Sequence, residues 1–200
     1  MRVSCAINVL LVSFLTHYTK YHSKGTQDAT FVSSSSIEDH GPEHVDDNTP
    51  KTFWESAATN KFPVWIEVEF NHVVQIFSYH MSRTESKKKS PVFFRLEGYS
   101  ALASGRMGGQ EGQDENIGVL MDERVLQGSV INTLSEGGSS FCVYPNHRGE
   151  RIKKARLIIF RVYGDSDSFS EKTFSVALTR FFITTHEEEE EALGGCTDRR

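Results

Sequence analysis

The stretch from Asp47 to Phe70, DNTPKTFWESAATNKFPVWIEVEF, limits the fold more than any other part of this chain. A polar turn leads to Trp54, a short loop leads to Pro63, and a second tryptophan, Trp65, opens an alternating run. In that run Ile66, Val68 and Phe70 share one face, while Trp65, Glu67 and Glu69 share the other. A period of two with one apolar face describes a half-buried antiparallel strand with its polar side outward.

The same pattern recurs along the chain. Val73 to Met81 reads as a second strand, with Asn71-His72 as a tight link before it. Pro91 starts a third, Val92 to Glu97. Ile117 to Met121, Val125 to Leu134 and Ser140 to Tyr144 read as short strands, the last ended by Pro145-Asn146 and preceded by the turn Glu136-Gly137-Gly138. Arg156 to Tyr163, RLIIFRVY, is apolar almost throughout, which predicts a central strand buried on both faces. Phe174 to Ile183 closes the series, and Ala29 to Val32 fits a first strand. No capped amphipathic helix appears between residues 37 and 184. About eight short strands parted by turns predict an all-β, antiparallel β-sandwich of jelly-roll type.

The phrase Asp47, Thr52, Trp54, Pro63, Trp65 resembles the opening of the discoidin or coagulation-factor 5/8 type C family, one of the galactose-binding-like β-sandwiches. SPVFFRLEGYS resembles that family's Pro-led strand, with Tyr99 where a small polar residue is more usual. Ala155-Arg156-Leu157 stands where the family ends a Tyr-x-x-Arg-Ile phrase. Two features depart from it. Ala101 to Asn116 is a Gly-, Gln- and Glu-rich insertion where a short turn and a Trp-x-x-Leu are usual, and the cysteine pair that often closes the domain is missing. The resemblance implies a domain over residues 29–184. It also implies a non-catalytic, lectin-like module, with ligand contact by loops at one end and a role such as cell adhesion.

On this chain those loops would be Thr59 to Phe62, His80 to Lys89 and part of the insertion after Tyr99. The ligand residues implied are Phe62, His80 and Arg83, the last two by place at a strand end. Phe62 could equally be a membrane-touching spike or a lid on the core. The resemblance also implies calcium in the turn Asp46-Asp47-Asn48-Thr49, held by Asp47, Thr52 and backbone carbonyls. Its usual closing-strand Glu is replaced by Arg180, which would instead pair with Asp46 or Asp47. The alternative is a plain turn in which an Asp side chain bonds its own backbone. Trp54 and Trp65 could be sugar platforms, but their places match core positions, and large aromatics dominate core burial.

Charge and cysteine exclude more than they assign. A net charge of -5 gives no general basis for nucleic-acid binding. The one basic cluster, Lys87-Lys88-Lys89, reads as a solvated loop or as a contact for phosphate or anionic lipid. Cys5, Cys142 and Cys196 are odd in number and scattered, so no disulfide framework is expected and Cys142 reads as a small buried apolar residue. Cys142 and His147 could form a thiolate pair, and His40 and His44 part of a metal site, but neither has the supporting groups. No nucleophile elbow or phosphate loop is present.

Residues 1–28 read as a signal or linker segment, with the apolar run Val3 to Leu15 too short and polar for a membrane span. Residues 185–200, with Glu187 to Glu191, read as an acidic disordered tail. A carbohydrate or glycoprotein partner and a secreted or cell-surface setting are the first reading. A protein–protein adaptor, cytoplasmic or at the surface, is the alternative.

Overall fold

A computed structural model of the chain describes residues 29–47, 49, 51–100, 118–126, 134, 137–163 and 173–185. The proposed leader, the insertion after Tyr99 and the acidic tail lie outside the described residues. Among those described, nine strands form two antiparallel sheets. They are β1 (Ala29–Ser33), β2 (Trp54–Glu55), β3 (Val64–Val74), β4 (Ile76–Arg83), β5 (Pro91–Ser100), β6 (Val119–Val125), β7 (Ser139–Cys142), β8 (Ile152–Val162) and β9 (Ala177–Thr185). One sheet runs β1-β3-β8-β5-β6 and the other β2-β9-β4-β7. This is the expected antiparallel β-sandwich.

β8 lies between β3 and β5, as its apolar sequence required. Leu157 and Ile159 face the core, and on the opposite face Ile158 is still only 7% exposed. Ile66, Val68 and Phe70 of β3 are buried together, as their alternation predicted. They meet Tyr79, Met81, Phe181 and Ile183 of the four-stranded sheet in one apolar core. Trp54 sits in that core fully buried, and its indole N–H donates towards Ser35 O and Ser36 Oγ. Removing a side chain of this size from a packed core costs about 3–5 kcal/mol.

Three expectations about strand limits change. Asn71-His72 does not end a strand: β3 continues to Val74, and the two exposed polar residues ride on a register shift between Glu69 and Val74. A bulge puts polar side chains outward without a turn. The closing strand expected over Phe174 to Ile183 instead begins at Ala177 and runs to Thr185, and Phe174 makes an isolated bridge with Thr59. In the stretch expected as a strand from Val125 to Leu134, only Val125 belongs to β6; Leu126 and Leu134 are buried, and residues 127–133 lie outside the described ones.

One side of the sandwich is closed by polar groups. Tyr144 N–H donates to Met121 O at 2.9 Å, crossing from the β7 side to β6. Beneath this, the fully buried Asp122 accepts from Tyr79 Oη at 2.7 Å and Arg124 Nε at 2.8 Å, both at Oδ2. Arg124 also donates to Cys142 O. Burial, then the Asp122 charge, push the Tyr79 phenol well above its ordinary range.

Strand direction fixes which connections meet. The ends of β2, β4, β6 and β8 lie at one end of the sandwich with the starts of β3, β5, β7 and β9, and the ends of β3, β5 and β7 lie at the other with the starts of β4, β6 and β8. Thr59–Phe62 and the residues after Arg83 therefore share an end. Tyr99 and Ser100, the last residues of β5, lie at the opposite end, and the insertion that follows them is outside the described residues.

Candidate functional site: the loop end of the sandwich

The β2–β3 loop is pinned at this end by its own backbone. Thr59 and Phe174 exchange two backbone hydrogen bonds of 2.9 Å, and Thr59 Oγ1 accepts from Lys61 N–H. Phe62, followed by a cis bond to Pro63, is half-buried and packs against the core.

The β4–β5 loop is held from below. Glu55 is buried, and its Oε1 accepts from Lys89 Nζ and from Ser175 Oγ at 2.8 Å. That contact removes Lys89 from the lysine run and ties three segments together. Lys87 and Lys88 remain exposed at the tip. Arg83, the last residue of β4, is half-buried and donates from Nη1 to Thr84 O at 2.9 Å and Glu85 O at 3.3 Å.

His80 is not at a strand end. It lies within β4, opposite Phe182 of β9 and Ser140 of β7. Its ring stacks on Phe182 at 4.6 Å with an interplanar angle of 11°. Nδ1 is 3.1 Å from Ser140 Oγ and Nε2 is 3.2 Å from Ser82 Oγ. Burial, then the charge of Arg180, lower its pKa to about 4, and a hydrogen bond with the Gly137 backbone acts the other way. His80 is thus uncharged at neutral pH. Strand alternation puts His80 and Ser82 on the outer face of the four-stranded sheet, away from Phe62 on the core.

The oxygen-rich turn is built tightly around Asp47. Its Oδ1 accepts from Thr49 N–H at 2.9 Å, and His44 Nδ1 is 3.0 Å from Oδ2. Thr52 Oγ1 lies 2.8 and 2.6 Å from the two carboxylate oxygens and 2.8 Å from Thr49 O. Partial burial disfavours the charge, but hydrogen bonds from Thr52, Thr49 and His44 outweigh it and lower the Asp47 pKa. A hydroxyl has one proton and cannot serve three oxygens at once. The cluster therefore has cation-site chemistry in part: it offers four oxygens, whereas calcium takes six to eight. Arg180 lies on β9 opposite Ser82, and its charge acts on His80. Among the described residues no group of three or more His, Cys, Asp or Glu could hold a metal ion.

Two other readings are settled by contacts. Cys142 is buried and disulfide-bonded, so it is neither a plain apolar filler nor a free thiol beside His147. His40 stacks on Phe53 at 4.0 Å, while His44 turns to Asp47, so the two do not form one site.

Trp65 is a correction. It is half-buried on the outer face of the five-stranded sheet, not in the core. The Arg156 guanidinium lies over it at 4.4 Å and near the Tyr99 ring at 5.2 Å. The same guanidinium donates to Glu67 Oε2 at 2.7 and 3.0 Å, and Glu67 is only 6% exposed. The alternation already placed Trp65 beside Glu67 and Glu69, a signal that outranks the position of a tryptophan in a resemblance.

No protein-family model matches the chain, and no curated protein matches it significantly. Solved structures do. A carbohydrate-binding module of family 32 from a family 31 glycoside hydrolase of Clostridium perfringens superposes with a TM-score of 0.61 at 12% identity, over 82% of this chain and 95% of that one. A second C. perfringens module of the same family, in complex with GalNAc-β-1,3-galactose, gives 0.57 at 10% identity, over 80% and 97%. A third, in complex with galactose, gives 0.55 at 8% identity, over 80% and 95%. Some matched modules are parts of glycoside hydrolases, as in a family 89 enzyme from C. perfringens of which this chain covers 14%. The chain shares the antiparallel β-sandwich fold of these modules.

Proposed function

We propose that this chain is a non-catalytic carbohydrate-binding module, related to the discoidin domains, that holds its ligand at the loop end of the sandwich. The observation that carries this is the convergence of the β2–β3 and β4–β5 loops, each pinned to the β9 lead-in through Thr59–Phe174 and Glu55–Ser175. A fixed platform of loops is what selective recognition of a small polar ligand requires. The matched modules that bind galactose and GalNAc-β-1,3-galactose share this architecture and support the ligand class.

Phe62 and Arg83 remain the contacts offered by this end: an aromatic body and a guanidinium donor. Asp47, Thr52 and the Thr49 carbonyl would hold calcium, which would brace the turn and supply no reaction chemistry. A secreted or cell-surface setting goes with this reading. No helix among the described residues is long and apolar enough to cross a membrane.

The test is a glycan array on the full chain, with calcium and again with chelator. Binding to galactose-terminated glycans in either condition supports the module. Silence in both conditions, with a folded chain, returns the protein-adaptor reading.

A further inference from the structure

The outer face of the four-stranded sheet carries a constellation that neither a ligand contact nor simple packing explains. His80 is half-buried, bordered by the Phe182 ring and by the hydroxyls of Ser140 and Ser82. The backbone of Gly137 and Gly138 also borders it. Gly138 has φ +83°, a conformation that side chains rarely adopt. A Cβ there would lie 2.0 Å from His80 Nε2 and 2.3 Å from Ser82 Oγ. Backbone and imidazole therefore meet at a distance that only glycine allows. This turn feeds β7 at the loop end, one residue before Ser139 pairs with Met81.

We propose that His80 is a positioning residue: its ring props the Gly137–Gly138 turn and so sets the shape of the carbohydrate-binding end. The role rests on the function proposed above, but the turn itself can be tested without a ligand. The groups facing the ring are Ser78 and Ser82 from its own strand, Phe182, Thr184 and Arg180 from β9, Ser140 from β7, and the glycine turn. Arg180 is the one charged group among these described residues. A proton on His80 would meet the Arg180 cation with no carboxylate in this set to balance it. The Gly137 hydrogen bond favours the proton, but burial and the Arg180 charge outweigh it, so acid should unseat the ring and loosen the turn.

The experiment uses the full, isotopically labelled chain. In the unaltered protein, the Gly138 amide resonance should follow the His80 ring through its titration in acid. In His80→Ala, exchange of the Gly138 amide should speed up about tenfold, the scale of one lost buried hydrogen bond. Galactose binding should weaken with it. His80→Gln, which can donate and accept but carries no charge, should restore both and remove the acid dependence. Gly138→Ala should lose galactose binding like His80→Ala, although it removes no side chain that could touch a sugar. A Gly138 amide that ignores both the His80 titration and His80→Ala would overturn the proposal, as would Gly138→Ala binding like the unaltered chain. If the chain binds no galactose while Gly138 still follows His80, the prop stands and the ligand class fails.

Discussion

The two sheets protect their outer faces in opposite ways. The five-stranded sheet covers itself with long side chains. Arg156 lies between Trp65 and Tyr99 and forks into Glu67, Lys154 reaches Glu69 at 3.1 Å, and Arg95 reaches Glu97 at 2.8 Å. On the four-stranded sheet β4 sets Ser78, His80 and Ser82 beside Phe182 and Arg180 of β9, with a glycine turn laid over His80 and Ser82. The first face is closed by side chains that satisfy one another, so disturbing it should change stability and leave the loop end alone. The second is closed by backbone that continues to the loop end, so disturbing it should reach the ligand. The difference separates a structural surface from a coupled one.

The largest expected effect is on the first face. Arg156→Ala leaves the buried Glu67 carboxylate with only Lys154, at 3.8 Å, and uncovers Trp65, and should cost about 3 kcal/mol in denaturant unfolding. Arg156→Lys should recover only part, because an ammonium cannot both fork and stack. Galactose affinity of whatever remains folded should be unchanged; a parallel loss of affinity would break the comparison.

The lysine run sharpens it at the loop end. Lys89→Gln leaves the buried Glu55 without its cation and should cost about 1–3 kcal/mol. Lys87→Gln and Lys88→Gln, at exposed positions, should each stay within about 0.5 kcal/mol in the same unfolding assay. Equal effects at the three would show that the Glu55 contact is not what anchors the loop.

Within the closed side, Tyr79→Phe removes one of the two donors on Asp122 Oδ2 and should lower stability by about 1–2 kcal/mol. The acid dependence of the second face has a definite sign. His80 has its pKa lowered from 6.5 to about 4, so the unfolded chain binds the extra proton in that window. Its contribution is present above pH about 6.5 and is lost as pH falls towards 4. His80→Gln should flatten that limb of the stability profile; an unchanged limb would assign it to other groups. The smallest effect concerns calcium. Millimolar calcium should raise the thermal midpoint by a few degrees through Asp47 and Thr52, and Asp47→Asn should erase that rise.

Most of the fold was legible because one physical signal, alternation, governs antiparallel strands. It placed β3, β5 and β8 and made β8 central. It misread Asn71-His72, because a bulge and a turn expose polar residues alike. The site was less legible. His80 looked like a ligand contact because its chemistry suits one, and nothing in sequence shows that Ser82, Ser140 and Phe182 converge on its ring. Gly138 carried the missing signal: a glycine following Gly137 marks a place where backbone must pass close to something. Trp65 lies on the outer face because the alternation of its own strand, not its place in the resemblance, decides which side it takes. The bond at Cys142 was hidden because spacing alone does not pair cysteines.

The most direct test of the central claim is a galactose titration of the isotopically labelled full chain, followed residue by residue. The account predicts that shifts concentrate in residues 59–63 and 83–90 at the loop end, with a weaker response at Gly137 and Gly138. Residues 143–151 at the opposite end, and Trp65 and Arg156 on the outer face, should stay still. Shifts confined to that opposite end or to the Trp65 face, or none at all from a folded chain, would contradict it.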